Sequence, residues 1–205
     1  MVILLIIQKM IKIVDNFFPD PYLIRRLGLE EKKGETFIQT PGQICEIKGS
    51  KKDLIFNIIK KQLPEVTSSD RMAFNFINES YCGGMCHSDH TFADYTCITF
   101  LSPTPPANSG IEIFDKYSPS KKKLINGSNE KKESFNKGLR TPIDRYFYKR
   151  VIDKVREDQD NKIEVNNKFN RMVIFPSERI HRAQNYFGKE RKDSRLTFIT
   201  FLGYR

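Results

Sequence analysis

The first seventy residues contain two stretches in which apolar residues recur at helical spacing. The first opens at Asp20-Pro21, where Asp suits the N-cap and Pro the first helical position, and Gly28 is expected to end it. The second follows Ser50-Lys51-Lys52-Asp53, which resembles a capping box, and runs as far as Pro64. Its apolar stripe consists of Leu54, Ile55, Ile58, Ile59 and Leu63. Residues 1–70 are therefore predicted to form a helical support.

After Ser69 the pattern changes to short runs of β-branched and aromatic residues bounded by turn residues. The predicted strands are Met72–Ile77, Tyr95–Leu101, Ile111–Phe114, Ile163–Val165, Arg171–Phe175 and Arg195–Leu202, preceded by a short strand at Ile11–Val14. One helical stripe interrupts them at residues 143–155. Many short strands behind a helical front predict a mainly β fold with flanking helices (α+β) and a jelly-roll core, also called a double-stranded β-helix. We expect one domain over residues 1–205, with that core at residues 71–205.

The longest apolar run, Val2–Ile7, is far shorter than the roughly 20 residues that a transmembrane helix needs. It is also shorter than the roughly 7–15-residue core of a signal peptide and lacks a small-residue cleavage site. We therefore expect a first strand here, a cytoplasmic protein and no membrane partner. Met10 is as acceptable a start of the chain as Met1.

A hydrophobic fraction of 39% and an aromatic fraction of 12% exclude a mainly disordered chain. The net charge of +10 makes nucleic acid a possible partner, but its distribution does not favour one. The segment from Lys116 to Arg140 has eight Lys or Arg and two Glu, so more than half of the excess charge lies in one stretch with the composition of a loop. This basic insertion is either a solvated loop or a docking site for an acidic partner.

The chain has four cysteines: Cys45, Cys82, Cys86 and Cys97. In an intracellular protein of this size they are expected to be free thiols. Cys82, Cys86, His87 and His90 also suggest structural zinc, but their spacing is more compressed than that of ordinary zinc fingers. Zinc is therefore the less favoured alternative, and His90 is expected to line the mouth of the site described next.

His87 and Asp89 are two residues apart, so their side chains lie on the same face of an extended strand. His181 follows 92 residues after Asp89, beyond the strand that ends at Phe175-Pro176. Two imidazoles and one carboxylate make the facial triad of non-haem Fe(II) oxygenases, which leaves coordination positions open. The sequence therefore predicts an iron site at His87, Asp89 and His181.

Arg195 opens the last predicted strand and shares one face of it with Thr197 and Ile199. A buried guanidinium is costly unless an anion pairs with it. Its fork suits a carboxylate, and the Thr197 hydroxyl adds another donor. The pattern predicts a pocket for a small carboxylate close to the metal.

The chain between His87 and Leu202 resembles the 2-oxoglutarate- and Fe(II)-dependent dioxygenase superfamily, nearest to its prolyl-4-hydroxylase-like branch. The matching segments are His87-Ser88-Asp89, Tyr95–Leu101, Gly110–Phe114, Arg171–Pro176, His181 and Arg195-Leu196-Thr197. In that family the basic residue follows the second histidine more closely, so Gly188–Asp193 are expected to form a longer hairpin loop.

The resemblance implies that His87, Asp89 and His181 bind Fe(II) and that Arg195 and Thr197 hold the distal carboxylate of 2-oxoglutarate. Tyr95 is expected either to hydrogen-bond this cosubstrate or to pack in the core, and Asn75 and Tyr81 are weaker candidates. The implied activity is a hydroxylation that consumes O2 and 2-oxoglutarate, with a small-molecule or peptidyl substrate. The alternative is a jelly-roll binding protein without redox chemistry that docks an acidic partner through the basic insertion. Neither the substrate nor the oligomeric state is determined by the sequence.

Overall fold

The computed structural model of the chain describes residues 11–32, 42–81, 84, 86–89, 93–114 and 161–204. These residues form two helices, α1 (Pro21–Glu30) and α2 (Gly49–Gln62), and nine strands. The strands are β1 (Lys12–Val14), β2 (Gln43–Glu46), β3 (Val66–Ile77), β4 (Tyr95–Phe100), β5 (Ile111–Phe114), β6 (Lys162–Val165), β7 (Met172–Pro176), β8 (His181–Ala183) and β9 (Arg195–Tyr204). Neither helix in this part of the chain has the length and hydrophobicity of a membrane span.

The strands build two antiparallel sheets. The larger sheet has six strands in the order β1-β7-β4-β9-β3-β2, and the smaller one has three in the order β6-β5-β8. Around His87, an isolated antiparallel bridge to His181 adds a further short segment to the free edge of β8. From β4 onward the chain crosses between the two sheets at every step except from β5 to β6, which are neighbours in the smaller sheet, and this winding is that of a jelly roll. The predicted fold class is confirmed.

Two apolar clusters cover the two faces of the larger sheet. Between the sheets lie residues from both of them: Ile98, Phe100, Val173 and Phe175 from the larger sheet, and Ile111, Ile113 and Val165 from the smaller one. On the opposite face of the larger sheet, α1 and α2 pack against side chains such as Phe74, Phe198 and Leu202. Most of β4, β7 and β9 and the second half of β3 are therefore buried on both faces, and the alternation of side chains decides which cluster each residue joins.

The helix boundaries differ from the prediction at two points. Gly28 lies inside α1 rather than after it. A β-carbon there would come within 2.8 Å of the Phe74 ring, so the glycine is needed for close packing and does not end the helix. The glycine thus lets the helix approach β3 closely. The capping box predicted at Ser50 is wrong, since the N-cap of α2 is Lys48, two residues earlier, and no side chain caps the first turn.

The first seventy residues are not only helical. β1 pairs with β7 and β2 pairs with β3, so both strands extend the larger sheet at its edges. β2 was missed because its two apolar residues, Ile44 and Cys45, are adjacent and stand between polar residues, so they show no strand alternation, although both are buried. The predicted first strand at Val2–Ile7, the basic insertion at 116–140 and the helical stripe at 143–155 lie outside the described residues.

Candidate metal centre

His87 and His181 are brought together by the bridge at the edge of the smaller sheet. The N–H of His87 donates to the carbonyl oxygen of His181 at 3.1 Å, and the reverse bond measures 2.9 Å. Directly opposite residues of an antiparallel pair present their side chains on the same face. The two imidazole rings accordingly lie with their centroids 4.4 Å apart. This backbone pairing joins two histidines that are 94 positions apart in the chain.

Asp89 joins them from the same extended segment. Its backbone N–H donates to the carbonyl oxygen of Ser177 at 2.8 Å, which holds residue 89 beside the loop that leads to β8. One carboxylate oxygen of Asp89 lies 3.7 Å from Nε2 of His87, and the other lies 3.3 Å from Nε2 of His181. One ligand atom from each of the three residues lies within 4.8 Å of the others.

The hydrogen bonding of His181 determines which of its nitrogens faces Asp89. Nδ1 lies 3.2 Å from the carbonyl oxygen of Arg179, and a carbonyl only accepts, so Nδ1 carries the proton. Nε2, the nitrogen nearer to Asp89, is then the atom that His181 would offer to a metal ion. The ring of Phe175 packs edge-on against His181 at 4.8 Å and further restricts its rotation. Contacts of this kind orient metal-binding histidines in proteins.

Asp89 is oriented by two hydroxyl groups beneath it. Thr96 donates to Oδ2 of Asp89 at 3.0 Å, and the hydroxyls of Thr96 and Ser177 are also 3.0 Å apart. Burial by itself would raise the pKa of Asp89, but His181, His87 and the hydrogen bond from Thr96 outweigh it and hold that pKa well below its usual range. The carboxylate is therefore ionised at neutral pH and available as a ligand.

Two imidazole nitrogens and one carboxylate, all converging on one point, suit a first-row divalent metal ion. A set of two histidines and one carboxylate occupies one side of the ion and leaves positions open for other ligands. Among the described residues this is the one group of three or more His, Cys, Asp or Glu side chains close enough to hold a metal. The chemistry of these donors fits the ion that the sequence pattern predicts.

Arg195 also points between the two sheets. Its Nε donates to the carbonyl oxygen of Ser109 at 2.8 Å and one terminal nitrogen donates to that of Gly110 at 3.2 Å, just before β5. The side chain is only 3% exposed, and burial lowers its pKa to about 10, so the guanidinium is still charged at neutral pH. No Asp or Glu of the described residues lies within ion-pair distance of it.

Thr197 lies next to Arg195 on the same face of β9 and is paired in register with Asn75 of β3. Asn75 is 2% exposed, and its Oδ1 has no hydrogen-bond partner in the described part of the chain. Buried polar atoms without a partner are uncommon because each costs the free energy of its lost hydration. This side of the interior therefore combines an unpaired buried cation with unused polar atoms, as expected where a polar ligand binds.

The structure does not bring Tyr95 to this site. Tyr95 belongs to the cluster between the larger sheet and the helices, together with Cys97 and Leu101. Thr96, the next residue, faces the metal ligands instead. The prediction that Tyr95 contacts a cosubstrate is therefore corrected: on a strand buried on both faces, composition alone does not tell which face is which.

Two side chains near the site were not singled out from the sequence. Thr96 supports Asp89, and strand alternation would have found it once the inward face of β4 was known. Tyr186, beyond β8, has its ring centroid 5.9 Å from the guanidinium carbon of Arg195. It stands in a segment without regular alternation, so no periodic signal marked it.

The zinc alternative receives no support from the residues that can be placed. Cys86 packs with Phe114 and Ile180 in a small apolar cluster and is not among the clustered ligand atoms. Cys45, Cys86 and Cys97 form no disulfide, as predicted. Cys82 and His90 lie outside the described residues.

No protein-family model matches the chain, and no curated protein matches it. Among solved structures, a Pseudomonas putida prolyl-4-hydroxylase aligns with a TM-score of 0.51 and 14% identity over 95% of this chain and 92% of its own. A Trichoplax adhaerens prolyl hydroxylase, in complex with a peptide from the oxygen degradation domain of hypoxia inducible factor, aligns with a TM-score of 0.54 and 11% identity over 94% and 82%. HygX from Streptomyces hygroscopicus, with nickel and 2-oxoglutarate bound, aligns with a TM-score of 0.53 and 8% identity over 97% and 84%. At these identities the likeness is one of fold: the chain shares the jelly-roll fold of these structures.

Proposed function

We propose that this protein is a 2-oxoglutarate-dependent Fe(II) oxygenase that hydroxylates a small-molecule or peptidyl substrate. The observation that carries the proposal is the convergence of His87, Asp89 and His181 on one point, with the buried charge of Arg195 inside the same jelly roll. A structural histidine cluster would account for the first feature but not for a buried cation that lacks a carboxylate partner among the described residues.

In this proposal, the two histidines and Asp89 hold the iron, and Arg195 with Thr197 binds the distal carboxylate of 2-oxoglutarate. When bound, iron and cosubstrate together supply the oxidising chemistry, in which O2 and 2-oxoglutarate are converted to succinate and CO2 while an oxygen atom is transferred to a C–H bond. Thr96 keeps the Asp89 carboxylate facing the metal, and the contact between Nδ1 of His181 and the carbonyl of Arg179 leaves Nε2 as the atom that would bind it. The aromatic and aliphatic side chains between the sheets exclude water from the interior.

Among the described residues, Oδ1 of Asn75 has no hydrogen-bond partner, which supports a polar ligand bound next to Thr197. The nature of the substrate is open to two classes that the comparison structures contain. The Trichoplax enzyme was solved with a peptide fragment, and HygX was solved with hygromycin B, which is a small molecule.

The first experiment measures binding and does not require the substrate. Under anaerobic conditions, Fe(II) and 2-oxoglutarate together should produce a weak visible charge-transfer band with the wild-type protein, and succinate should form when air is admitted. His181→Ala and Asp89→Asn should each abolish both signals. Asp94→Asn is the matched control because Asp94 is an exposed carboxylate five residues from Asp89, and it should retain both.

Circular dichroism of each variant distinguishes a lost site from a lost fold. If the folded wild-type protein binds neither Fe(II) nor the redox-inert Ni(II) by calorimetry, the proposal is wrong. The binding-protein alternative, with an acidic partner at the basic insertion, would then be the better account.

A further inference from the structure

An apolar groove runs between α1 and α2 and is open to solvent. Phe18 and Ile24, each 1% exposed, form its floor, and the partly exposed side chains of Leu23 and Ile58 form its walls. Phe18 and Ile24 belong to the cluster between the helices and the larger sheet. The groove therefore lies on the opposite side of that sheet from the candidate metal centre and is not part of it.

The groove has room for one aromatic ring and little more. Its volume is about 190 Å³. A cavity of roughly 150 Å³ lined by aliphatic and aromatic side chains binds benzene. Pockets for small-molecule ligands usually measure about 300–1,000 Å³. An aromatic side chain that projects from a protein surface therefore fits the groove better than a free ligand does.

A side chain of that kind lies next to the groove. Tyr22, the residue before Leu23 in α1, is 62% exposed, more than any other large hydrophobic side chain of the described residues. Its ring centroid lies 4.9 Å from that of Phe169, a contact that restricts the ring while leaving most of it in water. Tyrosines held in this way at a surface are frequent hot spots of protein–protein interfaces.

The two sides of the groove have opposite charges at their rims. Asp20 lies on the side of α1 and Lys61 on the side of α2, and both are exposed. Oδ1 of Asp20 accepts from the N–H of Leu23 at 2.9 Å. Neither Asp20 nor Lys61 forms an ion pair with any residue that the structure describes. Each charge is therefore available to a partner that presents the opposite one.

This surface contains both members of two complementary pairs: a ring and a groove that fits a ring, and an acidic and a basic group. In an isologous dimer the same patch of two copies meets across a two-fold axis, so such a patch is complementary to itself. The Tyr22 ring of each copy then meets the groove of the other, and Asp20 of each meets Lys61 of the other. A second copy of this chain matches all four features.

We propose that the surface formed by Asp20, Tyr22, Leu23, Ile58 and Lys61 is a homodimer interface, in which Tyr22 of each copy occupies the groove of the other. The interface lies on the helix side of the larger sheet, so both metal centres stay accessible in the dimer. The inference does not depend on the proposed function, and its test needs neither metal nor cosubstrate.

Sedimentation velocity over roughly 1–300 µM protein measures the self-association. The average mass of the wild-type protein should rise with concentration from that of one chain towards that of two. Tyr22→Ala should raise the dissociation constant about 30-fold or more, as expected when an interface hot spot is removed. Ile163→Ala is the matched control, because Ile163 is also exposed but lies on β6 of the smaller sheet, and it should change the constant less than about threefold.

The paired charges are tested by three substitutions. Lys61→Glu makes both rims acidic and should weaken the dimer roughly tenfold, whereas Lys60→Glu changes an exposed lysine of the same helix outside the groove and should not. Asp20→Asn keeps the helix cap, because Asn accepts the same hydrogen bond. Alone it should weaken the dimer, but combined with Lys61→Glu it should strengthen it relative to Lys61→Glu, since a like-charge contact is removed.

Circular dichroism establishes that each variant is folded before its association is compared. A wild-type protein that stays monomeric up to about 300 µM overturns the inference and leaves the groove to a different partner. A dimer that Tyr22→Ala leaves unchanged also overturns it, because the interface is then elsewhere. Equal losses in Lys60→Glu and Lys61→Glu would indicate an effect of net charge and would refute the pairing of residues 20 and 61.

Discussion

Replacing Thr96 with valine tests whether the support beneath Asp89 matters for metal binding. Thr96 is fully buried, and its hydroxyl is 3.0 Å from both Oδ2 of Asp89 and the hydroxyl of Ser177. Valine has nearly the same shape, so the substitution removes the donor without opening a cavity. The carboxylate loses a charge-assisted hydrogen bond and gains freedom to turn away from the two histidines.

The expected magnitude follows from the kind of bond that is lost. A hydrogen bond to a charged group contributes about 1.5–3 kcal/mol, and about 1.4 kcal/mol corresponds to a tenfold change in a binding constant. Thr96→Val should therefore weaken metal binding by roughly 10- to 100-fold, which is also the usual effect of removing a residue that orients a metal ligand.

The strand itself offers a matched control. Thr99 is also fully buried on β4, but it lies on the opposite face, and its hydroxyl has no hydrogen-bond partner in the described part of the chain. Thr99→Val removes an unsatisfied hydroxyl, so stability should be unchanged or slightly higher and metal affinity should stay within about twofold.

The assay is anaerobic calorimetry with Fe(II), repeated in air with Ni(II), on wild type and both variants. Thermal unfolding of the metal-free proteins establishes that each variant is folded before its affinity is compared. The reasoning is refuted if Thr96→Val binds metal as tightly as wild type, or if Thr99→Val loses as much affinity as Thr96→Val.

Three further substitutions test the packing and the charge interactions of the fold. Asp15→Asn should lower the free energy of unfolding by about 1 kcal/mol at neutral pH, because partly exposed Asp15 accepts two hydrogen bonds from Arg171. Those bonds hold the pKa of Asp15 below its ordinary value of 3.8, so the stabilisation is complete above that value and is lost as the pH falls through the lower folded-state pKa. Gly110→Ala should cost at least about 2 kcal/mol in thermal unfolding, since its β-carbon would lie 1.9 Å from the carbonyl oxygen of Val165. Phe198→Ala should cost about 3–5 kcal/mol in denaturant titration, because the ring is fully buried against the helices.

These predictions have control variants and outcomes that would contradict them. Asp53→Asn changes an exposed carboxylate and should leave stability unchanged, and the difference between Asp15→Asn and wild type should shrink between about pH 5 and pH 2. A difference that grows on acidification would contradict the assigned pKa direction. Tyr22→Ala removes a largely exposed ring, so a loss equal to that of Phe198→Ala would contradict the burial argument.

The spacing of residues along extended segments was enough to predict the metal-site side chains. His87 and Asp89 share a face because side chains on an extended segment alternate, and Arg195 shares a face with Thr197 for the same reason. These relations require no knowledge of partners, and the structure brings the three metal-site residues together as the spacing suggested. Gly188–Asp193 lie in the connection between β8 and β9, but these strands belong to different sheets, so the connection is not the hairpin that the spacing suggested.

The helices show one boundary that local sequence preferences predicted and one that they did not. Asp20 caps α1 as predicted, since its side chain accepts from the N–H of Leu23. Glycine is a usual signal for the C-terminus of a helix, yet Gly28 lies within α1. Its role there is to leave space for the ring of Phe74, which belongs to a strand 46 residues later. A contact with a distant element overrode a local preference.

Strand alternation assigns residues to two faces, but it does not say which face lies against the helices and which lies between the sheets. On β4 both faces are buried, so Tyr95 and Thr96 were equally acceptable candidates until α1, α2 and the smaller sheet were in place. The pairing of His87 with His181, and the carbonyls that hold Arg195, likewise depend on how segments far apart in the chain come together. The sequence by itself determined the donor types and their local spacing, whereas long-range packing decided which of those donors meet.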